Sequence, residues 1–203
     1  MEPRHSPPDA RVPVLEFDPA TRRMRTQRML LRPLGLTDAA GLLGIYSQPE
    51  VTRYYELDTL ADLQQAQRVL DFFLKHHDRF AMLEPDSLRM IGTCGLFFRD
   101  KTTNMASFGY DMASQYWGRG LMREAAGAVL AYGFATMGLN RVNALTALDN
   151  QASVKVLQAL GFEQEAVLRQ FAFWKGSYHD MRMFALLREQ LGDGPIARAM
   201  SAF

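Results

Sequence analysis

Apolar residues in this chain recur at two spacings, and the shorter one predicts strands. Runs of strand length, several of them alternating with polar residues, predict successive strands at residues 29–34, 79–83, 89–98, 106–112 and 142–146. Two further runs, at residues 163–174 and 181–187, predict a closing hairpin. Pro85-Asp86 and residues 100–104 are turn signals between strands.

The longer spacing predicts helices in the gaps between these strands. Helical patterns begin at Thr37, at Thr59 or Asp62 and at Gly118, and a shorter one covers residues 149–161. The second is expected to end near His77 and the third near Gly138. The resulting order, β-α-α-β-β-β-α-β-α-β-β, predicts an α+β fold around a mixed sheet.

Domain boundaries follow from composition. Residues 1–24 hold five of the nine prolines, so we expect an extended, poorly ordered arm, docked by Val14, Leu15 and Phe17. Residues 25–190 are expected to form one domain, since 203 residues suffice for a single core. Residues 191–203 contain Gly192-Asp193-Gly194-Pro195 and are expected to form a peripheral tail.

Composition and charge exclude some classes of protein. Apolar residues make up 48% and charged residues 22%, with a net charge of +1, so no strong field favours nucleic acid. No apolar run approaches the roughly 20 residues of a membrane span, and no signal-peptide core is visible. The single cysteine, Cys94, is expected to be a buried strand residue in a reduced, cytoplasmic compartment. No spacing typical of metal ligands occurs.

The most informative segment is the turn at residues 115–122, which joins a predicted strand to a predicted helix. Gly118 and Gly120 lack a Cβ, and a helix start leaves backbone N–H groups unpaired, so the turn could bind a phosphate. The alternative is an ordinary helix entry in which glycine only ends the strand.

A second segment, residues 149–162, predicts a compact helix. Asp149 or Asn150 is a natural N-cap and Gly161 a natural stop. Val154, Leu157 and Leu160 repeat at helical spacing and should face the core.

These two segments, in this order, resemble the GNAT superfamily of acyl-CoA-dependent N-acetyltransferases. The first matches its pyrophosphate loop as Gln115-x-x-Gly118-x-Gly120, and the second its Asn-x-x-Ser helix ending in Gly-Phe. Residues 26–34, Gly109-Tyr110 and the segment from Gly176 to Asp180 resemble one branch, the ribosomal-protein alanine N-acetyltransferases and their relatives. The resemblance covers roughly residues 26–188.

The resemblance implies a GNAT-like fold: a mixed, mostly antiparallel sheet of about seven strands flanked by about four helices. It implies that acetyl-CoA is the co-substrate and that no metal is used. It also implies that the sheet splays between the strands at 106–112 and 142–146, where the pantetheine arm enters. The implied acetyl-CoA contacts are Met112, Ser114, Gln115, Gly118, Arg119, Gly120, Leu121, Met122, Asn150 and Ser153.

Acetyl transfer from a thioester needs a proton for the leaving thiolate. Many relatives place a tyrosine seven residues after the asparagine, but here that residue is Leu157. Ser153 is the substitute donor, against the reading that it only satisfies local backbone groups. Asn150 is expected to fix the cofactor arm, against simple N-capping.

The general base is less clearly indicated. The branch often has a glutamate two residues before Gly-Tyr, and here that residue is Ser107. Asp111 and Glu56 are the substitutes, while a water chain or an amine that arrives neutral remains equally open. Tyr54, Tyr55 and Trp174 are candidates to line the acceptor pocket, although aromatic residues at such positions are often core.

The sequence therefore predicts an N-acetyltransferase acting on a primary amine, with the N-terminus of a protein or peptide favoured. An α-amine has a pKa of about 8 and is partly neutral at cytoplasmic pH, whereas a lysine, at about 10.4, needs a stronger base. A small-molecule amine such as an antibiotic or polyamine, and a non-catalytic acyl-CoA sensor, are the alternatives. A homodimer is left open, and neither a membrane nor a nucleic-acid partner is expected.

Overall fold

The computed structural model describes residues 16–203. Its strands are β1 (Glu16–Asp18), β2 (Arg23–Arg25), β3 (Leu30–Pro33), β4 (His77–Leu83), β5 (Met90–Asp100), β6 (Met105–Met112), β7 (Arg141–Ala147), β8 (Glu163–Trp174) and β9 (Ser177–Leu187). Its α-helices are α1 (Ala39–Tyr46), α2 (Leu63–His76), α3 (Leu121–Ala135), α4 (Gln151–Ala159) and α5 (Pro195–Ala199). Every predicted element is present, with its ends shifted by a few residues.

All strands lie in one 9-stranded sheet of order β1-β2-β3-β4-β5-β6-β7-β9-β8. Every neighbouring pair is antiparallel except β6 and β7, which are parallel. The mixed, mostly antiparallel sheet that the resemblance implied is therefore confirmed. The described residues hold two more strands and one more helix than the sequence predicted, namely β1, β2 and α5.

The prediction of a disordered arm was wrong for residues 16–24, because β1 and β2 form a hairpin there. Met24 is fully buried. The ring centroid of Phe17 lies 4.5 Å from that of Phe203 and 6.1 Å from that of Tyr132. Docking by Phe17 is thus confirmed. Residues 1–15, with Val14 and Leu15, lie outside the described residues.

The C-terminal tail is less peripheral than predicted. Pro195 occupies the first turn of α5, a position where a proline loses no helical hydrogen bond, and Ile196 and Ala199 are buried in the core. Together with the Phe17–Phe203 contact, this packs the chain's last residues against α3 and the β1–β2 hairpin. Within residues 16–203, no helix combines the length and apolar character needed to cross a membrane.

The helices cover opposite faces of the sheet. Neighbouring residues on a strand point to opposite faces, and on β4 the guanidinium of Arg79 lies over the ring of Phe73 in α2, whereas Phe80 contacts Tyr132 in α3. On β6, Asp111 contacts Tyr46 in α1, whereas Tyr110 contacts Ser153 in α4. We call these the α1–α2 face and the α3–α4 face.

The sheet opens between its two parallel strands. β6 and β7 pair at Met105–Arg141, Ala106–Val142 and Ser107–Asn143, and no pairing joins them beyond Asn143 in the described chain. Their remaining residues diverge toward the starts of α3 and α4. The splay that the family resemblance implied is therefore present.

Candidate active site

The splay is flanked on one side by the turn before α3. Gly118 and Gly120 have φ of 74° and 73°, a left-handed conformation that glycine adopts without strain. Gly120 is the N-cap of α3 and supplies no side-chain cap. Within the described chain, the backbone N–H groups of residues 118–122 have no acceptor. Free donors at the positive end of a helix dipole form a site suited to a phosphate.

Contacts from other elements hold this turn in place. The indole Nε1–H of Trp117 donates to the Met112 carbonyl at 2.7 Å, and the Ser114 N–H donates to Oε1 of Gln48 at 2.8 Å. Arg28 donates to the Arg119 carbonyl at 2.8 Å and pairs with Glu124 in the first turn of α3. These protein contacts fix the shape of the turn.

The residues of this turn that are predicted to contact acetyl-CoA differ in the solvent exposure of their side chains. The side chains of Gln115 and Arg119 are exposed, whereas those of Leu121 and Met122 are buried, so only the backbone of the latter two can face a ligand. The Met112 carbonyl accepts from Trp117 and the Ser114 N–H donates to Gln48, so each of these two residues already uses one backbone group. Direct contact of these residues with acetyl-CoA stays a prediction.

The start of α4 lies across the splay from this turn. Oδ1 of Asn150 accepts from the Ser153 N–H at 3.1 Å, which confirms N-capping by Asn150. Nδ2 of Asn150 has no partner among the described residues and stays available to a ligand. The Ser153 hydroxyl lies 2.8 Å from the Tyr110 hydroxyl on β6. Leu157 is buried in the core, as predicted.

Asp111 occupies a sealed cluster on the α1–α2 face. Its carboxylate forms an ion pair with Arg79 and accepts from the hydroxyls of Tyr46 and Tyr55. Burial, followed by the charge of Asp111, raises the pKa of both tyrosines well above its ordinary value, so both phenols stay protonated and donate. With both oxygens already accepting hydrogen bonds, Asp111 is poorly placed to act as a base.

The sequence did not indicate this cluster, because its members come from β4, β6, α1 and a loop. A charged strand residue is usually solvent-facing, and Asp111 departs from this pattern because it is buried. In the structure, Asp111 is instead the ion-pair partner of Arg79, because a buried arginine needs a negatively charged partner.

Glu56 lies next to Tyr55 in the loop between α1 and α2. The Tyr55 hydroxyl also lies 3.3 Å from the Tyr110 carbonyl, so this loop passes over the end of β6. Glu56 is exposed and has no hydrogen bond or ion pair to any described residue. Its role as a base therefore stays a prediction.

Two of the predicted acceptor residues meet beside the splay, whereas Tyr55 lies apart from them. Tyr54 and Trp174 pack with Ala147, the last residue of β7. They line an open pocket of about 210 Å³ together with Arg53, Asp149, Lys175, Ser177 and His179. The Lys175 ammonium donates to the Thr52 carbonyl at 2.6 Å, which holds the β8–β9 turn against the α1–α2 loop.

The basic residues of this pocket were not predicted from the sequence. The His179 ring stacks on Trp174 with 3.9 Å between centroids, and its Nε2 lies 3.2 Å from the Trp174 carbonyl. The family motif from Gly176 to Asp180 contains His179, so this motif contributes to the lining of the pocket. Lys175 and Gly176 both have positive φ and form the tight turn of the hairpin.

Cys94 is buried in β5, as predicted. Burial raises the pKa of its thiol to about 12, so the thiolate is not populated at neutral pH. This argues against Cys94 as a nucleophile.

Known proteins resemble the chain in both sequence and fold. A family profile described as "Acetyltransferase (GNAT) domain" matches residues 28–163. The uncharacterized N-acetyltransferase p20 of Bacillus licheniformis is 35% identical over 170 residues, which cover 81% of this chain and 96% of p20. The ribosomal protein uS5 alanine N-acetyltransferase of Escherichia coli (strain K12) is 29% identical over 108 residues, covering 53% of this chain and 56% of that protein. Among solved structures, spermidine N-acetyltransferase from Vibrio cholerae in complex with CoA and spermine shares the fold, with a TM-score of 0.72 at 19% identity, covering 81% of this chain and 98% of that chain.

The chain therefore belongs to the GNAT acetyltransferase family. It is an acetyl-CoA-dependent N-acetyltransferase.

Proposed function

We propose that this enzyme transfers an acetyl group from acetyl-CoA to the α-amine of a polypeptide N-terminus. The observation that carries the proposal is the pocket beside the splay, in which aromatic surface from Tyr54 and Trp174 is combined with the cations Arg53 and Lys175 and a single carboxylate, Asp149. A polyamine carries several positive charges, and a pocket of this charge repels it.

The lack of a strong base supports the same acceptor. The Asp111 carboxylate is occupied by Arg79 and two tyrosines, and Glu56 is solvent-exposed. An amine that must be stripped of its proton by the enzyme is therefore a poor substrate. An α-amine, with a pKa of about 8, supplies a useful neutral fraction without help.

On the acetyl-CoA side, we assign the pyrophosphate to the free N–H groups at Gly118, Arg119 and Gly120. An anion at this position meets both the unpaired donors and the helix dipole. The amide arm would then lie in the splay, where the facing edges of β6 and β7 are unpaired and need partners. Nδ2 of Asn150 is a further donor for that arm.

For the chemistry, we assign proton delivery to Ser153. The amine nitrogen attacks the acetyl carbon, the C–S bond breaks with its electron pair on sulfur, and the sulfur needs a proton. Leu157 carries no proton to give, whereas the hydroxyl of Ser153 stands on the first turn of α4 beside the splay.

The acceptor is tested by a competition among amines. Thiol release from acetyl-CoA is measured with a peptide bearing a free N-terminus, the same peptide with a blocked N-terminus and an internal lysine, spermidine, and an aromatic amine, and each product is identified by mass. We expect acetylation of the free N-terminus to dominate. Efficient acetylation of only the blocked peptide or of spermidine would overturn the proposal, while the aromatic amine tests whether the Tyr54–Trp174 surface selects a small molecule.

Charge in the pocket provides a second, independent test. Replacement of Arg53 by Glu should reduce the preference for the peptide over spermidine, because it reverses one of the two cations. Arg198→Glu, on the distal C-terminal helix, is the matched charge control and should leave the preference unchanged. An equal effect of both variants would show that the pocket's charge does not select the acceptor.

A further inference from the structure

We propose that the sulfur end of acetyl-CoA is bound by the hydroxyls of Thr146 on β7, which contacts the thioester directly, and of Ser153 on α4, which Tyr110 on β6 positions. The proposal rests on the acetyl-CoA site described above and extends it to two residues with no role so far.

The strand register places Thr146 opposite Tyr110. β6 and β7 run parallel, and their last pair is Ser107 with Asn143. Three residues further along both strands lie Tyr110 and Thr146, so they stand at the same level on the two sides of the splay. Because residues at equivalent positions of neighbouring strands point to the same face, Thr146 faces α4, as Tyr110 does.

Thr146 differs from Tyr110 and Ser153 in the hydrogen bonding of its hydroxyl. Its side chain is buried, at 4% exposure, and its hydroxyl has no hydrogen-bond partner among residues 16–203. A buried polar atom without a partner costs roughly as much as a lost hydrogen bond and calls for an explanation. A ligand in the splay that accepts from the hydroxyl supplies one.

Tyr110 and Ser153 already bond to each other. The Tyr110 hydroxyl lies 2.8 Å from the Ser153 hydroxyl and 3.3 Å from the Ser153 carbonyl. Burial raises the pKa of Tyr110 to about 12, so the phenol keeps its proton at neutral pH and can donate. When Tyr110 donates to the Ser153 oxygen, the Ser153 proton is free to point to another acceptor.

The reaction then balances without any added reagent. The C–N bond forms and the C–S bond breaks, with the electron pair left on sulfur. Ser153 gives its proton to sulfur and recovers one through solvent from the nitrogen that became the amide. Tyr110 keeps its proton and orients Ser153, so it acts as a positioning residue.

The test compares binding of CoA and desulfo-CoA, which lacks the sulfur, to the wild-type protein, Thr146→Val and Tyr110→Phe. Valine has the shape of threonine without its hydroxyl, and phenylalanine has the ring of tyrosine. We expect Thr146→Val to weaken CoA binding about tenfold, the loss of one hydrogen bond, and to leave desulfo-CoA binding within twofold. Its melting temperature should stay the same or rise, because an unpaired hydroxyl is removed.

For Tyr110→Phe we expect CoA binding within twofold of wild type and kcat about tenfold lower at unchanged KM for acetyl-CoA. An equal loss of affinity for CoA and desulfo-CoA in Thr146→Val, or an unchanged kcat in Tyr110→Phe, overturns the proposal. If Thr146→Val is too unstable, Thr146→Ser, which keeps the hydroxyl, must bind CoA within twofold of wild type. The binding measurements need no acceptor, so they remain decisive even where the proposed acceptor is wrong.

Discussion

Tyr110 and Asp111 are neighbours on β6, yet they belong to two different kinds of site. Tyr110 faces α4, and on that side of the sheet donors at Gly118, Gly120 and Asn150 have no partner among residues 16–203. Asp111 faces α1 and α2, where its carboxylate is paired with Arg79, Tyr46 and Tyr55. The α3–α4 face is thus prepared for a ligand, whereas this part of the α1–α2 face is sealed.

The difference predicts how mutations on the two faces behave. Changes to the polar groups beside the splay should affect binding or turnover and leave stability nearly unchanged, because the donors proposed to bind the ligand have no protein partner among residues 16–203. Changes in the Asp111 cluster should affect stability first, because they leave a buried charge without its partner.

The largest effect on ligand binding is expected from Gly120→Val. The left-handed φ of 73° disfavours a branched residue, and the added side chain fills the position proposed for a phosphate. Affinity for acetyl-CoA should fall at least about 100-fold in calorimetry, which is roughly 2.7 kcal/mol. Gly138→Val, at the other end of α3 with a φ of 68° and open space around it, is the control for backbone strain. Equal losses in the two variants would place the phosphate elsewhere.

The contrast between the faces also explains what the sequence could predict. The features of the α3–α4 face are local: Gly118 and Gly120, the cap by Asn150 and the stop at Gly161 each depend on residues within one turn of each other. Such features can be predicted from residues that lie close together in the sequence. The family resemblance added the splay, which no local pattern indicates.

The α1–α2 face depends on contacts between residues far apart in the chain. Arg79 pairs with Asp111, which lies 32 residues away in the sequence, and Lys175 contacts Thr52, which lies 123 residues away. The β1–β2 hairpin was missed for a related reason. The five prolines of residues 1–24 indicated disorder, while the stability of the hairpin comes from Met24 and from the contact of Phe17 with Phe203. Local propensity cannot report such packing.

The largest effect on stability is expected on the sealed face. Asp111→Asn removes the partner of the buried Arg79 and should lower the free energy of unfolding by about 3–5 kcal/mol in urea denaturation. Glu165→Gln breaks an exposed pair with Arg141 and should cost less than about 1 kcal/mol.

The same variant separates a structural Asp111 from a catalytic one. At low temperature, where Asp111→Asn is folded, kcat at saturating acetyl-CoA should stay within about threefold of wild type. A loss of about 100-fold in the folded variant, the size expected for a general base, would return Asp111 to the chemistry.

A smaller effect, confined to turnover, is expected for Ser153→Ala. Removal of the proposed proton donor should lower kcat about 100-fold, the low end for general acid–base groups. Stability should hardly change, since Asn150 caps α4 through the backbone of residue 153 and alanine is a good helix former. Ser201→Ala, whose hydroxyl contacts only the C-terminal segment, is the control. A rate within twofold of wild type would mean that Ser153 is structural.

The smallest effect is expected at His77 on the α1–α2 face, where protonation of the ring at acid pH should reduce stability. Its ring is stacked between Phe73 and Phe97, at 5.0 and 4.6 Å, and its two nitrogens have no partner among residues 16–203. Burial, and then the charges of Arg79 and His76, lower its pKa from 6.5 to about 4. The folded state therefore favours the neutral ring.

Because the pKa is lower in the folded than in the unfolded chain, the unfolded chain binds the extra proton between pH 6.5 and 4. The contribution of His77 to stability is complete above pH 6.5 and is lost as the pH falls toward 4. At about 1.4 kcal/mol per pKa unit, reduced for partial exposure to solvent, the loss should be about 2 kcal/mol. His77→Phe keeps the aromatic stack and should lose less stability than wild type over this range in urea denaturation. Parallel pH profiles for the two proteins would show that His77 titrates normally and that the α1–α2 face admits water at this point.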